Sequence, residues 1–105
     1  MMKKLRSEMN KIEFKTLVVD LDKKECYLEG VEVNLTKTEY NLLVFFLKNR
    51  DKIYTRKEIM QAVWDSEVSL RAVDTTVSRL RKKLGDVGKY ITTRLGFGYG
   101  FKTLP

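Results

Sequence analysis

The sequence has no histidine, one cysteine and one proline. Without histidine it can form neither a Ser-His-Asp triad nor a Cys-His pair, and no His/Cys zinc cluster. Carboxylate or lysine chemistry stays open on these grounds. Cys26 has no partner for an internal disulfide, which fits a reducing, cytoplasmic setting. No stretch approaches the roughly 18 apolar residues of a membrane span. No charged start leads into an apolar h-region, so no secretory signal is expected. Acids become scarce towards the end of the chain. Residues 69–105 hold eight Lys/Arg against Asp74 and Asp86, whereas residues 1–68 hold 13 against 12. Almost all of the +7 net charge therefore lies in the last third, and that asymmetry points to a polyanionic partner met by one face.

What is present suffices for one packed domain: 105 residues, 43% of them apolar. Residues 1–11 read as a linker or a leftover remnant, and 12–105 as the domain. Ile12 and Phe14 alternate with charged neighbours. Leu17 to Val19, Cys26 with Leu28, and Val31 with Val33 continue in strand-like fashion, with a hairpin turn at Gly30. The rule then changes. Thr36 with Glu39, and Thr55 with Glu58, are capping boxes that start helices. Tyr40, Leu42, Leu43, Phe46 and Leu47 line the first helix; Ile59, Met60, Val63 and Trp64 line the second. Ile53-Tyr54 forms a short extended link between them. Ser69 caps a third helix whose apolar stripe is Leu70, Val73, Val77, Leu80 and Leu84, stopped by Gly85. Asp86 to Lys89 reads as a turn. Two further strands flank Gly96-Phe97-Gly98. The order is ββββ-α-(β)-α-α-ββ, an α+β fold.

Opposite the stripe of the third helix fall Arg71, Thr75, Ser78 and Lys82, with Arg79 about 40° off that line and Arg81 and Lys83 on the flanks. An α-helix fits the major groove of DNA, where Arg suits guanine and Thr suits a thymine methyl. A merely solvated basic face is the ordinary alternative. In the hairpin, Arg94 to Tyr99 place a cation and an aromatic ring at a glycine-built tip that can reach a minor groove. Tyr99 is expected in the core, and Phe97 as a partner contact. The run Gly96-x-Gly98-x-Gly100 is not a dinucleotide fingerprint, since no helix follows it. There is no P-loop and no carboxylate couple on one helix face.

Six segments occur in one order: Leu35-Thr36-Lys37-Thr38-Glu39-Tyr40-Asn41-Leu42-Leu43, Thr55-Arg56-Lys57-Glu58-Ile59, Val63-Trp64, Arg71-Ala72-Val73-Asp74, Arg79-Leu80-Arg81-Lys82-Lys83-Leu84 and Gly96-Phe97-Gly98-Tyr99. Together they make the sequence resemble the C-terminal effector domain of OmpR/PhoB-type response regulators over about residues 12–103. The resemblance implies a winged helix-turn-helix: an N-terminal antiparallel sheet, three helices and a C-terminal β-hairpin wing. It implies a recognition helix at about 69–84 in the major groove and a wing at 94–99 at the minor groove. It also implies a preceding receiver domain, and no receiver sequence is in this chain, which is therefore either excised from a longer two-component regulator, as expected here, or a stand-alone regulator. Where the family often has His, this chain has Thr76. Where it usually has an Arg before the first wing glycine, this chain has Leu95, with Arg94 one residue earlier. A one-residue shift in a strand reverses the side chain, so Arg94 replaces that contact only through a bulge or twist. Gly100 stands where a basic residue is common, and the loop between the second and third helices is shorter than in many relatives.

The expected base-reading residues are Arg71, Thr75, Thr76, Ser78 and Arg79. Arg81, Lys82, Lys83 and Thr93 are expected on phosphates, and Arg94 and Phe97 at the wing. The resemblance makes Trp64, Asp65, Ser66, Glu67 and Val68 a candidate loop for RNA polymerase. It also implies a homodimer on direct-repeat half-sites of double-stranded DNA, roughly 10–10.5 bp apart. No cofactor, metal, membrane or enzymatic turnover is expected. The competing readings are an RNA-binding module or an acidic-protein-binding module using the same basic face.

Overall fold

The computed structural model describes residues 10–104. Four short strands come first: β1 (Lys11–Phe14), β2 (Leu17–Asp20), β3 (Glu25–Leu28) and β4 (Val31–Val33). They pair in chain order as an antiparallel meander. Leu17 lies opposite Phe14 and Leu28, and Val19 opposite Ile12 and Cys26. Side chains alternate along a strand, so these residues share one face. That face is buried, with Leu17, Val19 and Cys26 at its centre. Glu29 and Gly30 both take positive φ, 51° and 80°, as a two-residue hairpin loop of the I′ kind requires. At the β2–β3 turn the Asp20 carboxylate accepts from the Lys23 and Asp22 amides at 3.0 Å each. These bonds, that of Lys23 foremost, hold its carboxyl below the usual range. β1 begins at Lys11, one residue before the sequence pattern indicated. The rest of the expected linker, up to Met9, lies outside the described residues.

Three helices follow: α1 (Lys37–Lys48), α2 (Arg56–Val63) and α3 (Leu70–Lys83). Each begins where its cap dictates. The Thr36 hydroxyl accepts from the Glu39 amide at 3.1 Å, and the Glu39 carboxylate accepts from the Thr36 amide at 2.9 Å. Thr55 and Glu58 repeat the exchange at 3.0 and 2.8 Å. Ser69 accepts from the Ala72 amide at 3.2 Å. α3 stops at Leu84, where Gly85 turns left-handed at φ 55°. The expected turn after it is a 3-10 helix, Gly85–Tyr90. A Cβ on Gly88 would lie 2.1 Å from the Arg81 carbonyl, so glycine is what lets this segment fold back onto α3.

The chain closes with the hairpin β5 (Ile91–Arg94) and β6 (Gly98–Phe101). The α1–α2 link lies along its edge: Tyr54 and Tyr99 exchange amide-to-carbonyl bonds of 2.8 and 3.0 Å. A Cβ on Gly98 would sit 1.9 Å from the Tyr54 carbonyl, and one on Gly100 2.1 Å from that of Lys52. The hairpin glycines thus admit backbone to backbone as well as making the turn. Phe46, Leu42, Leu43, Ile59, Val73, Val77, Leu80, Leu84 and Phe101 fill the core between helices, sheet and hairpin. Phe14 meets Tyr90 and Phe101 edge-on, with centroids 4.9 and 5.1 Å apart, and so joins the sheet to the hairpin. One expectation is corrected. Leu70 is 40% exposed and lies outside the buried stripe, because the first turn of α3 projects past the core into a groove beside the hairpin. The assembly is an α+β winged helix-turn-helix. Among the described residues no helix is long and apolar enough to cross a membrane.

Candidate nucleic-acid interface

The buried stripe of α3 fixes which residues face out. Arg71, Thr75, Ser78, Arg79 and Lys82 are all exposed. Their side chains make no hydrogen bond or ion pair among the described residues, so the cationic and hydroxyl groups of this face are available to a ligand. Thr76 lies on its flank, half-buried, and its hydroxyl donates to the Ala72 carbonyl at 2.9 Å. That commits the proton and leaves the methyl as its distinguishing surface. Asp74, the helix's acid, is matched internally. One carboxylate oxygen accepts from Arg56 Nη1 at 3.1 Å and the other from the Tyr99 hydroxyl at 2.7 Å. Burial, followed by the bond to Asp74, raises the Tyr99 hydroxyl pKa and keeps it a donor. The ring packs against the core, in the position the sequence indicated.

The expected phosphate residues divide. Lys82 has an unengaged head. Arg81 reaches the hairpin instead: Nε and Nη2 donate to the Ile91 carbonyl at 3.1 and 2.9 Å, and Nη2 to Thr93 Oγ1 at 3.0 Å. Lys83 turns to the start of α1, donating to Glu39 at 2.7 Å and to the Asn34 carbonyl at 3.1 Å. In sequence these three cations look alike. Their difference comes from elements far along the chain.

At the hairpin tip the Phe97 amide donates to the Arg94 carbonyl at 2.9 Å and Gly96 takes φ 82°, a type II turn. Arg94 pairs directly with Gly98. No bulge turns its side chain to the Leu95 side; the guanidinium lies 5.4 Å over the Phe97 ring. Leu95 is 88% and Phe97 65% exposed. Between this tip and the first turns of α2 and α3 runs an open groove of about 490 Å³, lined among others by Arg56, Lys57 and Leu70. Sequence reasoning missed Arg56 and Lys57. The signal was the capping box, which places the two residues after Thr55 in an exposed first helical turn.

In the α2–α3 loop, Asp65, Ser66 and Glu67 are exposed, whereas Trp64 and Val68 pack against the core. The Asp65–Lys37 pair, 3.7 Å apart and highly exposed, contributes little. Cys26 is buried, and burial pushes its thiol up to about 11, away from nucleophilic use.

Residues 30–101 match the family described as transcriptional regulatory protein, C terminal. The chain belongs to this family. It is a C-terminal output domain of the OmpR/PhoB response-regulator type. It is 42% identical over 99 residues to the transcriptional regulatory protein ResD of Bacillus subtilis, covering 89% of this chain and 41% of ResD. The chain thus spans about two fifths of that relative. The response regulator DrrB of Thermotoga maritima, an OmpR/PhoB homolog, superposes with a TM-score of 0.81 at 31% identity, over 97% of this chain and 49% of DrrB. The AdeR DNA-binding domain, solved in complex with an intercistronic region, superposes with a TM-score of 0.78 at 33% identity, over 88% of this chain and 99% of that one.

Proposed function

We propose that this domain binds double-stranded DNA sequence-specifically as the cytoplasmic output half of a two-component transcription regulator, acting by occupancy and not by turnover. The observation that carries the reading is the outward face of α3. Five polar or cationic side chains stand there unengaged beside a protruding hairpin, while the helix's acid is already paired. Arg71, Thr75, Ser78 and Arg79 are assigned to base edges, with the Thr76 methyl beside them. Lys82 and Thr93 are assigned to phosphates, joined by Lys57 at the start of α2. Arg81 and Lys83 add positive potential from the places where they brace the wing and α1. A receiver domain precedes this one in the whole protein and drives pairing of two copies on a direct repeat. The exposed Asp65, Ser66 and Glu67, anchored by Trp64 and Val68, are available to RNA polymerase.

The deciding experiment is selection of duplexes by the purified chain from a random pool at near-physiological salt. A direct repeat with half-sites roughly 10–10.5 bp apart is expected. Retention without enrichment overturns specific readout. Preference for single-stranded RNA over duplex in competition overturns the DNA assignment.

A further inference from the structure

We propose that the wing tip is an apolar wedge: Leu95 and Phe97 enter the minor groove and open a flexible base step, so that this part of the site is read through DNA deformability. The inference rests on the DNA-binding reading above and adds a mode of contact to it. Four observations carry it.

The tip presents two large apolar side chains, 88% and 65% exposed and separated by one glycine. Both line the same groove beside the hairpin, so this apolar surface is shared and not scattered. Neither side chain can donate or accept a hydrogen bond, so neither can read the hydrogen-bonding base edges of the minor groove; what they can gain there is contact with sugars and with base faces uncovered by unstacking.

Charge selects the occupant. From Val87 to the end of the chain there is no acid, only Lys89, Arg94 and Lys102. The Arg94 guanidinium rests 5.4 Å over the Phe97 ring. Lys57 lines the same groove as the tip, and its acid, Asp74, is already paired; an apolar point with Arg94 laid on it suits a channel walled by phosphates.

The stem is stiff enough to push. It is held on one edge by the paired Tyr54–Tyr99 bonds. Beneath, it is held by Arg81 on the Ile91 carbonyl and by the Tyr99 hydroxyl on Asp74. With the mount fixed, the deformation falls on the DNA.

The tip is also continuous with the face of α3 through the groove that Leu70 and Asp74 share with Leu95 and Phe97. A minor-groove wedge bends the duplex towards its major groove, the groove assigned to α3. Pyrimidine–purine steps open most easily and are the expected target.

The test uses the 105-residue chain and the duplex enriched from the random pool, carrying end dyes for energy transfer and 2-aminopurine at successive minor-groove steps. The expected result is a bend together with a fluorescence rise confined to one step beside the major-groove footprint. In Leu95→Ala/Phe97→Ala both signals vanish, affinity falls by about tenfold, and the footprint of α3 remains. Both side chains are solvent-exposed, so the fold should be unaffected, which thermal melting checks. A straight duplex with quiet 2-aminopurine and an intact footprint overturns the wedge while leaving DNA reading standing. The wedge also fails if the double variant still bends the DNA. It fails equally if that variant loses self-association in sedimentation in place of bending, since the tip is then covered by a second copy. Failure to enrich any duplex overturns both readings.

Discussion

Glu39 illustrates how one residue serves two elements. It completes the capping box of α1 and receives Lys83 from the end of α3 while only 3% exposed. Burial pushes its carboxyl up. The Lys83 ammonium, with the Thr36 amide and hydroxyl, outweighs that and leaves it below the ordinary 4.5. A lowered folded-state pKa means that stability from this group is fully present above the unfolded value and is lost as pH falls through the folded one. Urea unfolding repeated at successive pH values should therefore show stability dropping below about pH 4.5, and Glu39→Gln should flatten that limb. Lys83→Met leaves the carboxylate buried without its cation and should cost about 2 kcal/mol near neutrality. On the outward face Arg79→Ala should leave the fold intact, weaken binding by about 1–3 kcal/mol and relax one base position. Binding titrations against single-base variants of the selected duplex measure this, and unchanged affinity for all of them would remove Arg79 from the base-reading set.

At the level of elements, most boundaries are written locally. Thr36, Thr55 and Ser69 start the helices, and Gly85 ends the last one, because caps and left-handed stops depend on a few neighbouring atoms. The Ser69→Ala change should reduce stability by about 1 kcal/mol without altering the core, as a shift in urea midpoint at constant m would show. Gly98 is of another kind. Its φ of 147° and the Tyr54 carbonyl 1.9 Å from a notional Cβ serve a contact forty-four positions away. Alanine there should destabilise by at least about 2 kcal/mol and detach the α1–α2 link, visible as faster amide exchange at Tyr54 and Tyr99. This separates what could be read in the sequence from what could not. Helices, strands and the outward line of α3 follow from periodicity. The different fates of Arg81, Lys82 and Lys83, the approach admitted by Gly100, and the exposure of Leu70 depend on which distant element arrives beside them.

For the molecule as a whole, charge is the property that acts at a distance. With eight cations against two acids in residues 69–105, binding should weaken steeply with salt. Each phosphate neutralised contributes about −0.9 to the logarithmic slope, so about four or five contacts per domain give a slope near −4. The Lys82→Ala variant should weaken all duplexes alike and make that slope shallower by about one, which titrations from low to moderate salt would test. The bracing of the hairpin has a consequence of its own. Because Arg81, Tyr99 and the Tyr54 bridge lock the wing to α3, the offset between the major-groove and minor-groove contacts is a fixed length, and the domain is a caliper. One base pair inserted between the two stretches of sequence they touch displaces one by about 3.4 Å and turns it by roughly 35°. A clamp with no give cannot follow, so the site must keep not only its letters but its interval.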